Sequence, residues 1–316
     1  MNNTVTPLLS DGQHFTKSSL VNGVPCQVEC LEIAKQTFVL NREFINTVSL
    51  EDEWFEDLEN PQAVINLLKT LPTPKTDIFT FWQRIPNTKP QFNYPLEWED
   101  LAVLPISTFD HWWNKQIKSR VRSLIRKTEK DGVIIKETDF NDEFVRGMTA
   151  IFNESPVRQG RKFWHYGKDF ETVKQQFSRY LFREQMVGAY YQGEMIGFMM
   201  LCDAGKFSLT GQIIASLNHR DKSINNALIA KAVEICAAKK QDFLVYYFWG
   251  DDSLSEFKRR CGFEKISVPR YYVPLTLKGK LALKLGAHRG WKKMLPDSIK
   301  KPLKELRKKW HERQAI

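Results

Sequence analysis

The sequence predicts an α/β or α+β protein built on a mixed sheet, and three observations carry that prediction. From Val133 to Leu275 the hydrophobic patterns follow the order β-α-α-β-β-β-α-β-α-β-β. Runs of consecutive strands interrupted by helices fold as layers around a mixed sheet. At 316 residues and 42% hydrophobic content the chain holds enough apolar material for one large or two ordinary domains. No repeat of 20–50 residues points instead to a solenoid.

Residues 1–20 are polar and are expected to be loose. "VPCQVECLEI" and "QTFVL" read as two strands around "AKQ", a hairpin. Cys26 and Cys30 fall on one face of the first, so this C-x3-C pair reads as core and not as half a zinc site. Ser49 followed by Asp52 is a capping-box signal before "EWFEDL". Asn60-Pro61 is an N-cap with proline at the first helical position, before "QAVINLLKTL". "DIFTFWQRI" and "LAVLPI" are strands on either side of a proline-punctuated loop.

After Ser107, "TFDHWWNKQIKSRVRSLIRKTEKDG" reads as one long basic helix, capped by Thr108 or Asp110 and stopped by Gly132. "VIIKET" is a strand and "DEFVRGMTAIFNE" a helix with Phe144, Met148 and Ile151 on one face. The loop "SPVRQGRKFWHYGKD" leads into the helix "FETVKQQFSRYLF". "MVGAYY" and "MIGFMMLC" form a hairpin whose turn uses Gly193. "KFSLTGQIIAS" is a strand, "NNALIAKAVEICAAKK" a helix and "FLVYYFW" a strand. "SLSEFKRRC" is a short helix ended by Gly262, and "FEKISV" and "YYVPL" are two closing strands.

That order resembles the GNAT superfamily of N-acyltransferases over roughly half the chain. The hairpin "GAYYQGEMIGFMML" is similar to the family's second and third strands. "LSEFKRRCGFEK" is similar to its late motif, an apolar or aromatic residue on a short helix followed by basic residues and Gly-Phe. "RDKSINNAL" lines up with the acyl-CoA loop "R-G-x-G-I-G-x-x-L". Arg220, Ile224 and Leu228 match, whereas Asp221, Ser223 and Asn225 stand where glycines belong. A narrower likeness is to the Fem family, tRNA-dependent aminoacyltransferases of the same fold. "KSRVRSLIRKTEKDGVIIKE" resembles their "R-x-x-I-R-K-A-x-x-x-G-V" segment, and "LSEFKRRCGF" their Phe-Lys-x-x-Phe-Gly segment. Fem proteins usually carry two tandem acyltransferase units, and the N-terminal portion here does not read as one.

The resemblance implies acetyl-CoA or another acyl-CoA as co-substrate and an amine as acceptor. A helix start offers unpaired N–H groups and the positive end of a dipole to the pyrophosphate. Glycines normally let the backbone curl around that anion. Here Ser223 is small, Asn225 and Asn226 tolerate left-handed conformations, and Arg220 and Lys222 add charge. The alternative is that Ser223 or Asn225 merely caps the helix. The resemblance also implies that the backbone at Ile213 and Ile214 binds the thioester oxygen, an oxyanion-type contact. Many GNAT enzymes have a proton-donating tyrosine where Phe257 stands. Phe257 can pack against the cofactor but cannot donate, leaving Tyr246, Tyr247, Tyr271 and Tyr272 as substitutes, or solvent.

The loop between the first two helices is where the family takes its acceptor. Arg158, Gln159 and Arg161 are the expected substrate-binding residues, since guanidinium groups read carboxylate or phosphate bidentately. His165, with Tyr166 beside it, and Glu154 are the candidate catalytic groups, His165 for its pKa range. The plainer alternative is a solvated basic loop with His165 stacked on Trp164 or Tyr166. The six histidines are isolated, so no metal is expected. Neither a Walker loop nor a G-x-S-x-G elbow occurs.

The formal charge of +10 belongs to the C-terminus. From Lys278 to Ile316 stand thirteen Lys and Arg against three acids, leaving the rest formally neutral. Ile299, Leu303, Leu306 and Trp310 form one stripe of a basic helix, which fits an anionic membrane surface, tRNA or docking on the protein itself. With no run of 18 apolar residues and no signal-peptide pattern, a cytoplasmic protein is expected. The five scattered cysteines agree. The expected organisation is an N-terminal α+β extension (1–107), a GNAT-like domain (108–276) and a basic amphipathic helical tail (277–316). The expected activity is direct acyl transfer to an amine. The rivals are a Fem-like aminoacyl-tRNA-dependent transferase and a non-catalytic GNAT-fold module at an anionic surface.

Overall fold

The computed structural model describes residues 12–21, 24–58, 60–71, 75–250 and 253–289. The predicted C-terminal stripe from Ile299 to Trp310 lies outside them. The described chain forms two compact units, one from residues up to Trp98 together with Val268 onward, the other from Glu99–Ser267. Both breaks fall earlier in the chain than the expected ones after Ser107 and Thr276.

The first unit opens with β1 (Gln13–Val21), β2 (Val24–Ile33), β3 (Gln36–Asn41) and β4 (Thr47–Leu50). These pair antiparallel in sequence order. Residues 13–20, expected to be loose, thus belong to a strand, because β2 offers β1 a ladder from Gln13↔Glu32 to Val21↔Val24. Cys30 is buried and Cys26 half-buried, both as free thiols. The capping signal at Ser49 and Asp52 yields only turns, closed by Phe55 and Glu56 N–H groups on the Asp52 carbonyl. Helix α1 (Pro61–Thr70) begins as predicted, with the Asn60 side chain accepting from Ala63 N. It crosses over to β5 (Ile78–Trp82), which runs parallel to β4.

The second unit takes in β6 (Leu96–Pro105), α2 (Phe109–His111), α3 (Ser119–Lys130), β7 (Ile134–Thr138) and α4 (Asp142–Phe152). The loop that follows contains a short hairpin, β8 (Val157–Arg158) and β9 (Arg161–Lys162). Then come α5 (Phe170–Phe177), β10 (Glu184–Tyr191), β11 (Glu194–Asp203), β12 (Phe207–Ala215), α6 (Ile224–Ala238), β13 (Phe243–Phe248) and α7 (Ser253–Arg260). Its strands lie in the order β6-β13-β12-β11-β10-β7. Among the described residues of this unit only the β12–β13 pair, joined by the α6 crossover, is parallel. Helices α3 and α6 cover one face through Val121, Ile125, Leu228 and Val233, and α4 covers the other through Phe144, Met148 and Phe152.

The predicted single helix over 108–132 is broken. Thr108 caps α2, which passes into a π-turn over Trp112–Gln116, and Ile117 and Lys118 are extended. Trp112 is fully buried and donates its Nε1–H to the Cys261 carbonyl at 2.9 Å, and Ile117 is buried behind it. Arg122 then donates to the carbonyls of Trp113 and Ile117, satisfying the groups freed by the break. Burial of Trp112 and Ile117 therefore overrides a continuous helical pattern.

The two closing strands are one, β14 (Glu264–Pro274), because Pro269 still offers a carbonyl to Gln83 N. Residues Arg270–Pro274 pair antiparallel with β5. Helix α8 (Leu277–Leu285) ends the described first unit. The first unit thus repeats the order of the second: an antiparallel meander, a crossover helix to a parallel strand, and an antiparallel strand beside it. The sequence conceals this because β1 falls in a polar stretch and β4 has only four residues.

Candidate active site

Strands β12 and β13 pair only from Phe207↔Phe243 to Leu209↔Val245 and then diverge. Divergence strands polar backbone groups, and buried backbone groups must find partners. Dedicated side chains supply several of them. Thr210 Oγ1 donates to the Val245 carbonyl at 3.3 Å, and the Tyr247 hydroxyl to the Gly211 carbonyl at 3.2 Å. Lys258 Nζ, on α7, donates to the carbonyls of Tyr246 and Phe248 at 2.8 and 2.7 Å. Lys258 is 3% exposed, and its ammonium also lies 4.4 Å from the centre of the Tyr246 ring. The opening between the strands is therefore a built feature. It forms a cleft of about 730 Å³, walled by Gln212–Ala215 on one side, Tyr246 and Phe257 on the other, and the start of α6.

The turn into α6 answers for the missing glycines. Ser223 alone of the three expected glycine positions is left-handed, at φ 55°, while Asp221 sits in a 3₁₀ turn and Asn225 within α6. The Ser223 side chain makes no capping bond, so it is not a conventional N-cap. Lys127 Nζ holds the Asp221 carbonyl, and Thr128 Oγ1 holds the Lys222 carbonyl at 2.6 Å. In a trans peptide the N–H opposes the C=O, so the Ser223 N–H points away from α3. Lys127 and Thr128 belong to the segment that resembles the Fem family, which gives that motif a physical task. A Cβ on Gly197 would meet Ile224 Cγ2 at 2.6 Å, so this hairpin glycine lets the start of α6 sit against β11.

The structure brings Ile213, Ile214, Arg220, Ser223, Ile224, Asn225, Asn226 and Phe257 to the cleft. Asn225 Oδ1 is buried there without a hydrogen-bond partner, a polar atom available to a ligand. Asn226 Nδ2 instead contacts Cys261 Sγ at 3.7 Å. Lys222 is not at the cleft; its ammonium packs over the Tyr191 ring at 4.1 Å.

The acceptor loop is rearranged relative to expectation. Arg158 and Gln159 line the cleft, and Gln159, at φ 53°, makes the β8–β9 turn with Gly160. Arg158 spends its guanidinium internally, on the carbonyls of Ala215 at 2.8 Å and Ile151 at 2.7 Å and on Glu154 at 3.1 Å. Glu154 accepts from Ser216 Oγ at 2.5 Å and from Leu217 N at 2.7 Å. This pair fastens the end of β12, and its carboxylate is committed to that task and not to taking a proton. Arg161 is exposed and away from the cleft, as is Tyr166.

His165 is 2% exposed and stacked on Phe152, ring centres 4.3 Å apart, with Phe163, Trp164 and Phe177 around it. Burial, with help from nearby Lys168 and Arg158, pulls its pKa down to about 3. It is a neutral ring in an aromatic core and does not reach the cleft. Of the four substitute tyrosines, Tyr246 lines the cleft, and burial raises its phenol pKa so that it stays protonated. Tyr247 is spent on Gly211, whereas the Tyr271 hydroxyl, in the other unit, donates to Gln83 Oε1 and accepts from Gln91 N. Ser216, His219 and Leu254 also line the cleft and carry no sequence signal that marks them. Lys258 stands in the "LSEFKRRCGF" motif, where its residue type alone does not disclose that it is buried under β13. Among the described residues, no three His, Cys, Asp or Glu side chains converge as a metal site.

No protein-family model matches the sequence, and no curated protein matches it. Solved structures do match in fold. FemX is similar over 86% of this chain and 90% of its own, at 11% identity and a TM-score of 0.54. L-PGS from Bacillus licheniformis is similar over 83% and 84%, at 12% identity and a TM-score of 0.54. A conserved protein of unknown function from Bacteroides thetaiotaomicron covers 79% and 86%, at 10% identity and a TM-score of 0.52. The fold is GNAT-like. The likeness to FemX spans more of the chain than either unit alone, in keeping with the repeated strand order of the first unit.

Proposed function

We propose that this protein is an acyltransferase that holds its donor in the β12–β13 cleft and passes the acyl group to an amine by direct attack. The observation that carries the reading is the divergence of β12 from β13, with Thr210, Tyr247 and Lys258 placed to satisfy the groups it frees. Acyl-CoA, most simply acetyl-CoA, is the donor that the cleft fits best. Its pyrophosphate would meet the start of α6, with the Ser223 amide and Arg220 as donors. Its thioester would lie between the strands, where β12 backbone near Ile213 and Ile214 has no ladder partner on the β13 side and can bind the carbonyl oxygen. The neutral amine attacks the carbonyl carbon, the C–S bond breaks, the thiolate leaves, and the nitrogen sheds its surplus proton to solvent. Tyr246 takes the proton-donating role that Phe257 cannot fill.

Thermal shift with acetyl-CoA tests this. A ligand that binds only the folded state raises Tm with concentration. The full-length protein should be stabilised, and Ser223→Val, which forces a β-branched residue into a left-handed position, should reduce the shift. No stabilisation at millimolar acetyl-CoA or CoA would overturn the CoA reading. A second reading, an aminoacyl-tRNA donor, is favoured by the contacts of Lys127 and Thr128 to the donor turn, because these residues lie in the Fem-like segment. Retention of the protein on charged tRNA, lost at high salt, would select it.

A further inference from the structure

Helix α8 is apolar on two opposite sides. Its inner side is Gly279, Ala282 and Leu283, packed with Ile45 and Ile78. Its outer side is Leu277, Leu281 and Leu285, which are 86%, 57% and 60% exposed. At 3.6 residues per turn, steps of four drift by about 40°, so these three leucines form one stripe. Phe44, 81% exposed, stands near the same helix, with the Lys278 ammonium 5.2 Å from its ring centre. Exposed apolar residues scattered singly need no explanation, but a contiguous stripe on one helix does.

The helix is held firmly from both ends. Thr276 Oγ1 accepts from Gly279 N at 3.0 Å and donates to Asp77 Oδ1 at 2.8 Å. A Cβ on Gly279 would stand 2.1 Å from the Asp77 carbonyl oxygen, so the glycine permits this close seat. Gly286 ends the helix at φ 71°, and Glu97 then binds both His288 Nε2 and Arg289 at 2.7 and 2.8 Å. Although burial opposes it, these two partners hold the Glu97 carboxyl below its usual range. The fold thus fixes a helix in place while leaving three leucines facing outward.

We propose that the outer face of α8, with Phe44, is a docking surface for an anionic lipid bilayer. Charge selects this occupant over the others. Residues 277–289 contain four Lys and Arg and no acid. On the helical wheel Lys280 and Lys284 border the leucine stripe on one side and Lys278, which is paired with Asp77 at 3.3 Å, on the other, the arrangement of a helix lying in a membrane interface. A second copy would set lysines against lysines. Residues 290–316 carry nine Lys and Arg against three acids, so their charge opposes seating them against this lysine rim. An anionic surface complements both the rim and the sequence that follows. The surface belongs to the first unit and is independent of the chemistry in the cleft.

Co-flotation of the full-length protein with vesicles tests the proposal. The protein should bind vesicles of equal parts phosphatidylglycerol and phosphatidylcholine and not those of phosphatidylcholine alone. Leu277→Ser/Leu281→Ser/Leu285→Ser should weaken partitioning about tenfold or more through lost apolar insertion. Lys280→Glu/Lys284→Glu should do the same through charge. Neither variant should change the melting temperature, because all five side chains point outward. If the leucine variant melts early, the lysine variant decides. Failure of the wild type to bind the acidic vesicles overturns the proposal, as does equal binding to phosphatidylcholine. Wild-type binding by both variants would assign contact to residues 290–316 and overturn it too. A solution dimer dissolved by the leucine substitutions would give the stripe to a second copy instead.

Discussion

At the scale of single residues, the loop after α4 separates residue type from availability. His165, Glu154 and Arg158 are the right types for acid–base and anion chemistry, yet each spends its polar atoms or its ring inside the protein. His165 carries a consequence for pH. Its folded pKa, about 3, lies below its ordinary value of 6.5. Below pH 6.5 the unfolded chain takes up a proton that the folded ring refuses, so stability falls as the pH drops toward about 3. One such group steepens the dependence by up to about 1.4 kcal/mol per pH unit. We expect His165→Phe to flatten the stability curve between pH 6 and 4 in urea titrations, and to keep transferase activity at neutral pH. A collapse of activity with unchanged folding would make His165 the base after all. None of this internal engagement is legible in sequence, because a loop's composition does not say which of its polar groups are already spoken for.

At the scale of elements, the sequence announces strands and helices well where one face repeats, as in α4, whose Phe144, Met148 and Ile151 are all buried. It fails where a tertiary contact wins. Burial of Trp112 and Ile117 breaks the α2–α3 helix, and Pro269 does not interrupt β14. The divergence of β12 and β13 is backbone geometry and has no side-chain signature of its own, but its supports do. Lys258 is the clearest of these, a buried cation that donates to two carbonyls at the open end of β13. Lys258→Met keeps much of the volume and removes both bonds. Each buried carbonyl left unpaired costs about 1–3 kcal/mol, part of which is offset by no longer burying a charge. The expected net loss is about 1–3 kcal/mol, read as a lower urea midpoint, together with a smaller thermal shift on acetyl-CoA. An unchanged midpoint would mean that the divergence does not depend on Lys258.

At the scale of the whole molecule, the order of elements in the second unit is readable from hydrophobic periodicity alone, and with it the GNAT-like fold. The same sheet order in the first unit is hidden, because β1 falls in a polar stretch and a four-residue β4 gives periodicity too little length to register. The two units also carry different surfaces: the cleft residues all lie within Glu99–Ser267, whereas α8 follows Val268. One substitution should therefore separate the two activities proposed for this chain. Gly279→Ala places a methyl group against the Asp77 backbone, which has no flexible side chain to yield, so α8 must shift or detach from its seat. The outer leucines then lose their fixed presentation while the β12–β13 cleft keeps every group that shapes it. Vesicle binding should fall, and the first unit should lose about 1–3 kcal/mol of stability. Stabilisation by acetyl-CoA should persist. Loss of both readouts in a protein whose far-ultraviolet spectrum is unchanged would show that lipid contact and donor binding share one determinant, contrary to their placement in separate units.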